Sequence, residues 1–201
     1  MMRVLPGRYL ATLVAALVLA VSLNANAATP FNAIDISHAK SYAQDFRLTD
    51  HEGRTRTLAD FRGQTVVLFF GYLQCPNFCP ITLARLAETM QLLGADAKRV
   101  QVLFVTLDPE RDLPPALKEY VTTFNPSFLG LYAAPAATAD LALKFRIYYQ
   151  KVPGPTASTY NIDHAVFSYA YDAQGRLRLL LKDSLSAAEL ASDLRRLSTT
   201  P

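Results

Sequence analysis

The segment TVVLFFGYLQCPNFCP, residues 65–80, decides how this 201-residue chain is read. Its first half, Thr65 to Tyr72, is a nearly unbroken run of β-branched and aromatic residues, the pattern of a strand buried on both faces. Its second half holds the chain's only two cysteines, Cys75 and Cys79. Ile81 to Leu93 then puts Leu83, Leu86, Ala87 and Met90 on one helical stripe, and Gly94 supplies the stop. The cysteines are therefore predicted where a buried strand passes into its helix, at the sheet edge where open α/β folds bind ligands.

Working outward, Val100 to Leu107 is a second buried strand, Leu113 to Phe124 a helix, Phe128 to Tyr132 a short strand and Ala137 to Gln150 another helix. Val152 to Asp163 reads as a loop. Val166 to Asp172 and Arg176 to Lys182 read as a hairpin about Ala173-Gln174-Gly175. Ser186 and Glu189 form a capping box for a last helix with Leu190, Leu194 and Leu197 on one face. Upstream, Asp45 to Thr49 and Arg54 to Leu58 are predicted as strands around the turn Asp50-His51-Glu52-Gly53. No repeats or low-complexity tracts stand out. The order predicts an α/β sandwich with a mixed central sheet flanked by helices.

The N-terminus is set apart from this domain. Arg3 and Arg8 precede an apolar run from Tyr9 to Leu23, followed by Ala25-Asn26-Ala27, so residues 1–27 read as a signal peptide. As a helix, fifteen residues rise only about 22 Å against about 30 Å of bilayer core, which favours cleavage over a membrane anchor. Residues 28–44 read as a polar leader and 45–201 as the domain. Without Arg3 and Arg8 the chain has 18 basic and 17 acidic residues, so charge gives no reason to expect nucleic acid as a partner. Export places the cysteines where disulfides persist, in the periplasm or on the outer face of the cytoplasmic membrane.

Residues four apart at a helix start lie about one turn from each other, and a helix N-terminus stabilises thiolates. Pro76 and Pro80 stiffen the loop between them. This spacing permits a short structural disulfide, a redox couple or two ligands of a metal. A metal needs a further donor, and the chain has three histidines. His38 lies in the polar leader and His51 in a charged turn, both read as solvated surface residues. His164 ends an irregular loop before a predicted strand that should pack near the cysteines. Two thiolates and one imidazole fall short of the four ligands of structural zinc and suit soft, low-coordinate Cu(I).

Phe70-Gly71-Tyr72 leading into Cys75-Pro76-Asn77-Phe78-Cys79-Pro80, then Asp108-Pro109-Glu110-Arg111-Asp112, then Asp163-His164, resembles the SCO/SenC copper proteins of cytochrome oxidase assembly. The resemblance runs from about Asp45 to Leu197. It implies a thioredoxin-like fold in which Cys75, Cys79 and His164 bind copper, as Cu(I) or Cu(II). It also implies a metallochaperone supporting the binuclear copper site of cytochrome c oxidase, with that copper-site subunit or another copper chaperone as partner. The alternative is a thiol-disulfide oxidoreductase with Cys75 and Cys79 as its redox couple. Thioredoxin-like reductases commonly carry a proline beside the redox cysteines, and none lies between Asn161 and the final residue. His164 takes that neighbourhood, which favours metal over general dithiol exchange. A peroxidase reading lacks its Thr and Arg set.

Leu73 and Asn77 stand where the family commonly has Thr and Asp, which bears on copper affinity. Asp108, Arg111, Asp112 and Asp163 are candidates to orient or tune the ligands. On ordinary structural grounds, Asp112 could instead cap the helix at Leu113 and Arg111 pair with a nearby acid. Tyr148, Tyr149 and Tyr160 could form a docking surface or simply pack.

Overall fold

All seven residues of strand β4 (Thr65–Gly71) are buried. The computed structural model describes residues 30–39, 41–154, 156 and 159–199, and β4 lies near the middle of its sheet. It pairs in parallel with β5 (Val100–Thr106) and antiparallel with β9 (Ser168–Tyr171). The other strands are β1 (Ile34–Asp35), β2 (Arg47–Asp50), β3 (Thr55–Thr57), β6 (Leu129–Tyr132) and β10 (Leu177–Leu181). Across the sheet the order is β1-β10-β9-β4-β5-β6-β2-β3.

Alternate residues of β4 feed two cores, because successive side chains of a strand point to opposite faces. Val67 and Phe69 meet α1 (Phe78–Leu93), α2 (Pro114–Phe124) and α4 (Ala187–Thr199) through Leu83, Leu86, Leu117, Val121 and Leu194. Val66, Leu68 and Phe70 face α3 (Pro135–Lys144) through Leu141 and Ala142. The mixed sheet flanked by helices is the architecture read from the sequence.

Three segments differ from expectation. Helix α3 ends at Lys144 rather than Gln150. Arg146 takes a left-handed φ of +53°, and the chain turns into β7 (Tyr149–Pro153). The expected loop 152–163 contains β8 (Tyr160–His164), which pairs with β7 as a separate antiparallel ribbon. His164 therefore ends a ribbon strand and does not begin the hairpin, whose first strand starts at Ser168. In the stretch read as a leader, Ile34 pairs with Leu180, and Asp193 accepts the backbone N–H groups of Asn32 and Ala33 at 3.1 and 2.8 Å.

His38 is exposed, as expected, but the His51 side chain is only 4% exposed. Its Nδ1 accepts the Gly130 N–H at 3.1 Å, so the ring is a satisfied structural group between two strands. The expected signal over residues 1–27 lies outside the described residues, among which no helix is long and apolar enough to cross a membrane.

Two hairpin turns share one construction written in the sequence as D-x-x-G-R-x-R. In Asp50–Arg56 the Asp50 carboxylate accepts the N–H groups of Glu52 and Arg54 and the Arg56 guanidinium, all at 2.8–2.9 Å. In Asp172–Arg178 the Asp172 carboxylate accepts the N–H groups of Gln174 and Arg176 and both arginine side chains, at 2.7–3.2 Å. Gly53 and Gly175 supply the positive φ of each turn, +83° and +70°.

Candidate metal centre

Where β4 ends, Gly71 leaves room for a sulfur: a Cβ there would stand 2.6 Å from Cys79 Sγ and 2.8 Å from Phe104. The chain then turns, Cys75 N–H donating to the Tyr72 carbonyl at 3.3 Å. Helix α1 starts at Phe78, three residues before the predicted start, and its N-cap, Asn77, makes no side-chain cap. Cys75 Sγ takes that place, accepting the Cys79 N–H at 3.4 Å. The first turn of the helix thus delivers both sulfurs to one point, Cys79 fully buried and Cys75 9% exposed.

His164 approaches from β8. Its Nε2 lies 3.6 Å from Cys79 Sγ, and the two residues are 85 positions apart in the chain. Its Nδ1 lies 2.8 Å from the Ala165 carbonyl oxygen, which can only accept. Nδ1 therefore carries the proton, and the Nε2 lone pair faces the sulfur. Tyr72 stands edge-on to the imidazole, with ring centres 6.0 Å apart. One donor atom from each of Cys75, Cys79 and His164 falls within 4.8 Å of the others, and among the described residues no further Cys, His or carboxylate joins them. An open cleft of about 350 Å³ lies beside this cluster, lined by Tyr72, Cys75, Asn77, Phe78, Ile162 and His164.

The two sulfurs are electrostatically unequal. The Cys79 thiol beside it does most to hold Cys75 down at about 3, against the opposing effect of burial. The N–H groups of Cys79 and Asn77 add to this, as does the His164 ring when both its nitrogens are protonated. Cys79 is pushed far up by the neighbouring Cys75 sulfur and by burial. A soft metal binding to a thiolate and a thiol that share one proton would displace that proton and keep both sulfurs as ligands.

The Asp108–Asp112 motif follows β5 and lies beside the cysteines. Asp112 does not cap α2, which begins at Pro114 without a side-chain cap. Its carboxylate accepts the Thr106 hydroxyl at 2.5 Å and the Leu73 N–H at 3.1 Å, and so holds the cysteine loop from below. Burial pushes its carboxyl up to about 6. Arg111 pairs with Asp108 and donates to Gln74 Oε1 and to the Tyr160 carbonyl, both at 3.0 Å. Asp163 is exposed and lies on the other face of β8 from His164. It lines the cleft without joining the three donors.

Of the tyrosines read as docking or packing residues, Tyr148 is exposed and Tyr149 packs on the core. Tyr160 also packs on the core and does more: its hydroxyl donates to Asp108 at 2.8 Å and its ring lies 3.5 Å under the Arg111 guanidinium. The signal for it was the period-two pattern Tyr160, Ile162, His164 inside a stretch taken for loop.

The SCO1/SenC family profile matches residues 34–199. The mitochondrial SCO2 homologue of Bos taurus is 38% identical over 154 residues, 76% of this chain and 58% of that protein. The chain thus spans less than two thirds of that relative's length. The SCO2-like protein RC0895 of Rickettsia conorii is 35% identical over 133 residues, 66% of this chain and 65% of its own. Among solved structures, copper-bound ScoI of Bradyrhizobium japonicum superposes with a TM-score of 0.70 at 35% identity, covering 76% of this chain and 97% of that one. The apo Sco1 protein of Thermus thermophilus gives 0.74 at 34% identity, covering 86% and 99%. The fold is thioredoxin-like, and the chain belongs to the SCO1/SenC family.

Proposed function

We propose that this protein binds copper through Cys75, Cys79 and His164 and acts as a metallochaperone in the assembly of the copper site of cytochrome c oxidase. The observation that carries this reading is the convergence of two sulfurs and one bare imidazole nitrogen within 4.8 Å. Thiolates select soft Cu(I), and a three-donor set suits an ion that accepts low coordination, whereas structural zinc asks for four ligands. A relative with 35% identity has been solved with copper bound, which supports carrying the metal over to these residues. Copper is cargo here. The open cleft beside Cys75 leaves a path by which an incoming ligand could reach it.

On this reading the chain is exported, and its first 27 residues are a signal or anchor ahead of the domain. Its partner is the copper-site subunit of the oxidase or another copper chaperone. Nucleic acid is not a partner, and contact with a membrane is confined to the N-terminal segment.

The acidic Cys75 thiol favours a second role at the same site. A thiolate beside a buried thiol can attack a disulfide and be resolved by its neighbour, so the pair could reduce target cysteines before copper is delivered. Anaerobic Cu(I) titration against a competing chelator tests the first role. About one equivalent should bind tightly to the reduced protein, with a large loss of affinity in His164→Ala. Equal affinity in the variant would remove His164 from the ligand set, and no Cu(I) uptake by the wild type, together with rapid dithiol exchange on a model disulfide, would leave only the reductase.

A further inference from the structure

Strand β8 brings His164 to the sulfurs, yet it pairs with β7 and makes no bridge to the eight-stranded sheet. Its place over the cysteines must come from side-chain contacts, and these fall on one face at period two. Ile162, in the middle, is 3% exposed and sits in the core. His164 is at one end and Tyr160 at the other.

Tyr160 is gripped on several sides. Arg111 donates to its carbonyl at 3.0 Å and stacks on its ring at 3.5 Å, while the hydroxyl reaches back to Asp108 at 2.8 Å. Lys151, from β7, lies 4.6 Å from the ring centre and pairs with Glu110. The same Arg111 nitrogen that holds Tyr160 also donates to Gln74, next to Cys75. One guanidinium therefore joins the strand that carries the imidazole to the loop that carries the sulfurs.

We propose that Arg111 and Tyr160 are positioning residues for His164: their clasp sets the ribbon at the height where the imidazole meets the sulfurs, and it acts on bound metal through His164. The inference rests on the metal-binding reading above. Lying on the ring, the guanidinium holds three oxygens, Asp108 Oδ2 through Nε and Gln74 Oε1 and the Tyr160 carbonyl through Nη1, a task a lysine ammonium does not reproduce.

Tyr160→Phe removes only the hydroxyl bond to Asp108, and Arg111→Lys keeps the charge but loses the fork. Each is measured alone and combined with His164→Ala, using Cu(I) in competition with a chelator. Each substitution should weaken Cu(I) binding about ten- to hundred-fold in the wild-type background and add nothing once His164 is gone. In the metal-free protein, amide exchange should quicken in residues 149–152 and 160–164 and stay unchanged in β4 and α1. Equal losses with and without His164, or no loss at all, would overturn the clasp. Wild-type protein that takes up no Cu(I) would overturn the metal reading instead, and ribbon exchange would then judge the clasp alone.

Discussion

His164 Nδ1 lies 2.8 Å from the Ala165 carbonyl oxygen, and this one bond selects the ring nitrogen that faces Cys79. Nitrogen-15 NMR of the metal-free protein should show His164 as its Nδ1–H tautomer when neutral. Adding Cu(I) should shift the Nε2 resonance far more than that of Nδ1. A dominant Nε2–H tautomer would contradict the arrangement.

Cys75, held near 3, is a thiolate across the ordinary pH range. Its alkylation by iodoacetamide should stay nearly flat from roughly pH 5 to 8, where an ordinary thiol gains about tenfold per unit. The buried Cys79 should remain unmodified. In Cys75→Ser, Cys79 loses the neighbouring thiolate that raises it most and should fall back towards the usual thiol range. Bound copper should protect Cys75. Equal labelling rates with and without metal would argue against shared coordination.

Asp112 gives a pH signature in stability. Its folded pKa, about 6, lies above the ordinary carboxyl value of 3.8, so between these values the native state holds the proton more tightly than the unfolded chain. Stability should then decline as pH rises through this window, by on the order of 3 kcal/mol, and stay lower above it. Asp112→Asn should lack that decline while its oxygen still accepts from Leu73 or Thr106. Urea unfolding of both proteins from pH 4 to 7 measures the difference, and parallel curves would refute the assignment.

Gly71→Ala drives a methyl against Cys79 Sγ and the Phe104 ring. The cost should be about 1–3 kcal/mol of stability, as for overpacking elsewhere in cores. Because one of the clashing atoms is a proposed ligand, Cu(I) affinity should fall as well. A stable variant with unchanged affinity would mean that the sulfur has room to move.

The paired hairpin turns offer a test of additivity. Asp50→Ala and Asp172→Ala each strand several donors and should each cost about 1–3 kcal/mol. The two hairpins are separated by β4, β5 and β6, so that β2 and β9 stand about 19 Å apart. The losses should sum to within about 0.5 kcal/mol in the double variant, as measured by chemical denaturation.

Much of this molecule could be read locally. The all-apolar run of β4, the stripe of α1 and the capping box of α4 are periodic signals between near neighbours, and each reports burial directly. Asp50 and Asp172 were equally visible, yet only the folded turns show that the two stretches are the same device. The β7–β8 ribbon was missed because Tyr149–Pro153 and Tyr160–His164 are short, polar on one face and flanked by Pro, Gly and Thr. His51 was misjudged for a related reason: its charged neighbours say nothing about Gly130, which approaches from another strand.

The covalent chain alone settles that Cys75 and Cys79 share one turn, since a strand ending at Gly71 and a helix beginning just beyond leave the sulfurs nowhere else to go. It also supplies the imidazole and the guanidinium. That His164 meets the sulfurs, that Asp112 braces the loop instead of capping a helix, and that Tyr160 ties the ribbon to Arg111 were decided by tertiary structure. These contacts join residues 39 to 85 positions apart. Such pairings follow from how sheet, loop and ribbon pack against one another, and no periodicity along the chain records that.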